Sequence, residues 1–172
     1  LRAVVSREAV EGAVADAGAH WRLRDSVLPR VINPVSVVTH ATPMPPPADY
    51  AGTDFRNRMW LPAASPAVGC AVQGGGVAAI GRVTYSANLV EIEYRADRPA
   101  WIVLNEIAAP GWMAQVDGRE VPLLRSNALF RGACVPAGIH RLAFRFSPLR
   151  MIQSRWTPDP ASPLHRSAAP RS

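Results

Sequence analysis

The chain has 172 residues, 48% hydrophobic and 19% charged, which suits one packed domain of ordinary size with appendages. Its 17 prolines argue against long helices and for short strands joined by irregular loops. The formal charge is +6 and all 19 basic residues are Arg. They are scattered through every segment with no basic stripe on any helix, which argues against nucleic acid as a partner and leaves a solvated surface as the reading of the charge.

Residues 1–6 suit a short strand. Residues 7–19 are rich in Ala, Glu and Val, with Val10 and Val14 four apart. That suits a short helical or irregular segment, which Gly12 and Gly18 weaken. Residues 21–23 and 30–39 look like strands, the second interrupted at Pro34. Residues 43–49 form a Pro-rich connector, and 54–61 hold one short strand or helical turn. Residues 63–76 read as a small-residue loop. Its Gly74-Gly75-Gly76 run lacks the Lys-Ser/Thr of a phosphate loop and precedes a strand, so it reads as a flexible linker. Proline and glycine break the uncharged stretches 31–48 and 59–81, so neither suits a membrane-spanning helix. No signal peptide is visible, and the chain as given is expected to be soluble.

The β pattern is clear from Val77 onward. Residues 77–85 form one strand. Residues 88–96 alternate, with Val90, Ile92 and Tyr94 on one face and Glu91, Glu93 and Arg95 on the other. Residues 100–107 are apolar on both faces, as in a central strand. In 112–122, two short runs flank Asp117-Gly118, a pair suited to a two-residue hairpin turn with positive φ at both positions. Residues 129–135 are a further strand, and 139–146 alternate with Leu142, Phe144 and Phe146 inward. The expected class is mainly all-β, an antiparallel β-sandwich. Residues 1–76 are loosely part of the domain, 77–148 are its core, and 149–172 are a disordered tail.

Candidate chemistry is sparse. Cys70 and Cys134 match no metal spacing. They read as small buried apolar residues, with a disulfide open if the domain is extracytoplasmic. Asp117 as a catalytic acid competes with its place in a tight turn, and the turn explains it better. Trp112 could stack on a sugar ring, against a role as a core or edge residue; Trp101 reads as core. Glu106, Arg125, Asn127 and Arg131 lie near strand ends and could line a polar cleft, against a solvated rim. The four histidines form no metal spacing, His140 is expected to face solvent or bond the backbone, and no cofactor is implied.

The order of short motifs carries one resemblance. It comprises residues 85–92 (Tyr-Ser-Ala-Asn-Leu-Val-Glu-Ile), 101–106 (Trp-Ile-Val-Leu-Asn-Glu), Pro110-Gly111-Trp112 with Val116-Asp117-Gly118, 121–127, Phe130-Arg131-Gly132, 135–140 and 144–148. Together these pieces make residues 81–148 resemble the C-terminal extracytoplasmic β domain of YfhO-like bacterial membrane proteins. Leu28-Pro29-Arg30-Val31 resembles the segment that opens this region in the family. The resemblance implies a non-catalytic domain of a polytopic membrane protein similar to glycosyltransferases that use polyprenyl-phosphate sugars, with the catalytic acids elsewhere. Its implied partners are the membrane-embedded part of the parent protein and a cell-envelope glycan or lipid-linked sugar, on the extracytoplasmic face of the cell membrane. After Ser147 the chain departs from the family, which continues into a membrane helix. Two other readings are a free carbohydrate-binding module with Trp112 or Trp101 as platform, and a structural interaction domain.

Overall fold

The structure is a computed structural model. It describes residues 27–156 except 43–46, 51, 64, 66–68 and 71–74, together with the backbone of three short N-terminal strands. Those three, β1 (Ala3–Ser6), β2 (Val14–Asp16) and β3 (Ala19–Leu23), form a small antiparallel sheet in the order β1-β3-β2. β2 falls where a short helical or irregular segment was expected; its pairing with β3 overrides a weak helix propensity. The other residues of 7–18 lie outside the described ones.

Two larger sheets make the body. The first is five-stranded, in the order β11-β10-β14-β8-β7. It comprises β7 (Ala78–Ser86), β8 (Leu89–Ala96), β10 (Trp112–Val116), β11 (Arg119–Val121) and β14 (Gly138–Phe146). The second is four-stranded, in the order β12-β13-β9-β4. It comprises β4 (Val31–Ile32), β9 (Ala100–Ile107), β12 (Leu124–Ser126) and β13 (Phe130–Val135). Every pairing in both is antiparallel. The expected all-β sandwich is what the chain forms.

The core follows from alternation. Val90, Ile92 and Tyr94 of β8 and Leu142 and Phe144 of β14 meet Ile102 and Leu104 of β9 between the sheets. The other face of β9 is also buried. Trp101 and Val103 pack under Val37, Met59 and Leu61. Those three belong to a parallel ribbon of β5 (Ser36–His40) and β6 (Arg58–Pro62), which lies on the outer face of the four-stranded sheet. This third layer explains why residues 100–107 lack alternation: both faces of the strand are out of water. The 54–61 segment supplies β6, the strand option. A 3-10 turn, Pro47–Tyr50, occupies the end of the Pro-rich connector.

Three expectations are corrected. Cys70 and Cys134 are joined in a disulfide, with Cα atoms 5.8 Å apart. Cys134 sits opposite Trp101 in the β13–β9 register, so the bond ties the 63–76 loop to the sheet beside that buried ring. The glycine run is not a flexible linker over its described part. Gly75 and Gly76 are buried, and their amides donate to Val35 O and Pro99 O, each at 2.9 Å. Asn33 completes this junction: its Nδ2 donates to Trp101 O at 2.8 Å and its Oδ1 accepts from the Ala78 amide at 2.8 Å. Lastly, helix α1 (Pro148–Trp156) occupies the start of the 149–172 segment expected to be disordered. Residues 157–172 lie outside the described ones. Among the described residues, no helix is long and apolar enough to cross a membrane.

Candidate functional site

Five residues were singled out from the sequence: Glu106, Trp112, Arg125, Asn127 and Arg131. The structure brings Glu106, Trp112 and Arg131 into one network. Arg131 on β13 and Glu106 on β9 face the space between the sheets, at the end where β9 finishes and β10 begins. Arg131 is 4% exposed, and its guanidinium donates from Nη2 to Glu106 Oε2 at 3.2 Å and from Nε to Ile107 O at 3.1 Å. Its flat face lies 3.6 Å from the centroid of the Trp112 ring on the opposite sheet. Trp112 in turn meets Phe146 of β14, with ring centroids 5.6 Å apart.

The network extends on its other side. Glu106 Oε1 accepts from Arg30 Nη2. Arg30 lies over the Tyr85 ring of β7, 4.3 Å from its centroid. The contacts thus run Tyr85, Arg30, Glu106, Arg131, Trp112, Phe146. They cross from the five-stranded sheet to the four-stranded sheet and back, and lace the mouth of the sandwich. Sequence reading missed Arg30 and Tyr85 as members. The only signal was their position: each sits at the end of a strand, where an inward side chain meets the mouth.

Burial pushes the Arg131 pKa down, and the neighbouring Glu106 carboxylate pulls it back up. An arginine stays charged through such a shift. The pair is therefore a half-sealed ion pair whose Arg also has a π partner. Its Nη1 is buried without a hydrogen-bond partner. No nucleophile belongs to the network, and the one carboxylate is held by two guanidinium groups. This arrangement does not perform acid–base chemistry; it joins two sheets.

The other two candidates, Asn127 and Arg125, lie outside this network. Asn127 sits in the turn between β12 and β13 at φ 49°, followed by Ala128 at φ 65°. Its Oδ1 accepts from the Trp60 amide at 2.8 Å, and its own amide donates to Trp60 O at 2.9 Å. This clamp holds the turn onto β6. Arg125 lies half-buried on β12, directly opposite Arg131. Trp101 is 2% exposed, and it packs against Cys70, Gly75 and the ribbon. Neither Trp101 nor the Arg131-facing side of Trp112 offers a free stacking platform.

At the opposite end, Asp117 and Gly118 adopt φ 48° and 80°, the two positive values an Asp-Gly hairpin turn needs. Asp117 does more than turn the chain. Its Oδ1 accepts from the Arg141 amide at 2.9 Å, and its Oδ2 lies 2.6 Å from His140 Nδ1. His140 Nε2 lies 3.0 Å from Ala137 O, so both ring nitrogens face acceptors, as suits an imidazolium. The Arg141 amide and His140 hold the Asp117 carboxyl below its usual range. Asp117 and then the Ala137 carbonyl raise the His140 pKa. With Nε2 committed to backbone, the His–Asp pair lacks a free base nitrogen and is a clasp between the hairpin turn and β14. The nearby Tyr94 hydroxyl has its pKa raised, first by burial and then by Asp117.

An open groove of about 520 Å³ crosses the outer face of the five-stranded sheet beside this clasp. Part of its polar lining is engaged in exposed pairs, Arg141 with Glu91 at 3.8 Å and with Glu93 at 3.6 Å. Among the described residues, no three His, Cys, Asp or Glu side chains gather as a metal site. Comparison with protein-family models, with curated proteins and with solved structures found no match to this chain.

Proposed function

We propose that the chain is a non-catalytic, extracytoplasmic β-sandwich domain of a YfhO-like membrane protein, working by packing on the membrane-embedded part and shaping access for a cell-envelope glycan acceptor. One observation carries the non-catalytic reading. Glu106, Arg131 and Trp112, three of the five residues that might have formed a site, are consumed in the lace from Tyr85 to Phe146, and their contacts join the sheets. The Cys70–Cys134 disulfide supports an oxidising compartment, because such bonds persist outside the cytosol. The motifs of the resemblance also sit on consecutive elements. Residues 85–92 span the β7–β8 turn, 101–106 lie in β9, and Pro110 to Gly118 lead through β10 into its hairpin turn.

Two measurements test this reading. The coding sequence upstream of the chain should specify many hydrophobic helices. The purified chain should neither hydrolyse nor transfer sugar from a polyprenyl-phosphate donor. An upstream frame without such helices, or turnover by the chain alone, would overturn it.

A further inference from the structure

The lace closes the mouth, yet large apolar side chains stand outside it. Of the seven exposed large hydrophobics among the described residues, five belong to that end: Tyr85, Ile107, Leu129, Leu149 and Ile152. Backbone bonds place them together. The Ala108 amide donates to Leu129 O at 2.7 Å, the Phe146 amide to Asn88 O at 2.8 Å, and the Ser147 amide to Gly111 O at 2.8 Å. Helix α1 therefore starts beside the Pro110-Gly111 turn. Gly111 is needed there, since a Cβ would come within 2.7 Å of Phe146 and 2.9 Å of Met151. Ile107 is 65% exposed, Leu149 72% and Ile152 52%. Leu129 follows two non-glycine residues held at positive φ by the Trp60 clamp, so the fold carries backbone strain beside an apolar side chain left in water.

We propose that this end is a membrane-interface surface, which sets Ile107, Leu129, Leu149 and Ile152 among the head groups of an anionic bilayer. The apolar side chains stand on a turn, a strand end and a short helix, as separate tips. That form suits shallow insertion among lipids better than a flat protein interface. The charge at this end is net basic: Arg30, Arg145 and Arg150 lie there with Glu106 and Glu120, which pair with Arg30 and Arg150 and leave Arg145 in excess. Tyr85, half out of the mouth, is an amphipathic ring of the kind found at head-group depth. The inference deepens the reading of a membrane-apposed domain by assigning the end that faces the membrane.

The test uses the full oxidised chain and flotation with vesicles of phosphatidylglycerol and phosphatidylcholine, against phosphatidylcholine alone. The chain should float with the anionic vesicles and less with the neutral ones. Ile107→Asp with Leu129→Asp should lower partitioning about tenfold or more, because it removes both apolar tips and adds repulsion. Leu149→Ser with Ile152→Ser should also lower it, which keeps the test open if the first variant fails to fold. Ile139→Asp, an equally exposed change at the far end, should leave it unchanged. No flotation of the wild-type chain, no effect of either end variant, or an equal loss on Ile139→Asp would each overturn the proposal. A chain that floats as stated but whose coding region lacks membrane helices overturns the family reading and leaves this surface standing; the converse overturns this surface alone.

Discussion

Removing the Cys70–Cys134 bond should cost this domain a large part of its stability. The bond closes a loop of 64 residues. In the chain-entropy account, a loop of that length restricts the unfolded chain by about 14 cal/mol/K, or about 4 kcal/mol at 25 °C. Against a typical total of about 5–15 kcal/mol, that loss leaves a marginal domain. For a domain of this size each kcal/mol is worth about 3–4 °C, so the midpoint should fall by about 12–16 °C. Trp101 lies opposite Cys134 and under the tied loop, which makes tryptophan emission a suitable probe. The assay is urea unfolding of the oxidised chain against Cys70→Ser/Cys134→Ser. The variant should unfold at lower urea and with a slightly steeper slope, because its unfolded chain exposes more surface. A difference below about 1 kcal/mol, or two thiols titrating in the unreduced folded protein, would refute the reasoning.

Glu106→Ala leaves the Arg131 guanidinium buried without its carboxylate and should cost about 3 kcal/mol in the same assay; a loss under about 1 kcal/mol would mean the mouth does not depend on the pair. Asn127→Ala removes the bond to the Trp60 amide and places a less tolerant residue at positive φ, costing about 1–2 kcal/mol. Ala128→Gly should do the reverse at φ 65° and stabilise by about 0.5 kcal/mol, the relief of strain slightly exceeding the entropy glycine loses. The His140–Asp117 clasp sets a pH window. His140 has a raised folded pKa, so its contribution is complete below the ordinary value of 6.5 and fades as pH rises through the folded one. Asp117 has a lowered folded pKa, so its contribution is complete above the ordinary value of 3.8 and fades as pH falls through the folded one. The clasp therefore works best between those two ordinary values. Asp117→Asn should flatten the pH dependence of the melting temperature on both sides of that window; an unchanged profile would count against the clasp.

The sequence pattern was sufficient where one face of a strand is wet and the other dry. β8 and β14 alternate because their inward residues fill the sandwich, and the Asp-Gly turn announces itself by its backbone demand. β9 was legible as a central strand, but its second cover was not, since β5 and β6 lie far away in the chain and pair in parallel. β12 is three residues long and too short to show a period. The disulfide was out of reach because spacing says nothing about which loops fold over which sheet. The mouth network was half visible. Glu106, Trp112 and Arg131 stood out as polar or aromatic residues near strand ends, but their mutual contact depends on two sheets meeting at one end. His140 and Asp117 are 23 positions apart, and only the β10–β14 pairing brings them together.

The lace also bears on where function lies. A sandwich mouth needs cover, and apolar side chains could provide it, as they do in the third layer over Trp101. Here the cover is an arginine between a carboxylate and an indole, reinforced by a second arginine on a tyrosine. Arg suits this place because its flat face stacks while its edge donates. Such a closure engages Glu106 and Arg131, apart from Arg131 Nη1, and leaves the apolar residues at the rim without a role in folding. Ile107, Leu129, Leu149 and Ile152 could be polar at no cost to the core, since none belongs to either buried cluster. Exposed aliphatic side chains occur singly on most proteins, but four at one end, beside a strained turn and a short helix, do not follow from the fold. The part of the mouth that looked functional in the sequence is explained by stability, and the part that stability leaves unexplained is the rim.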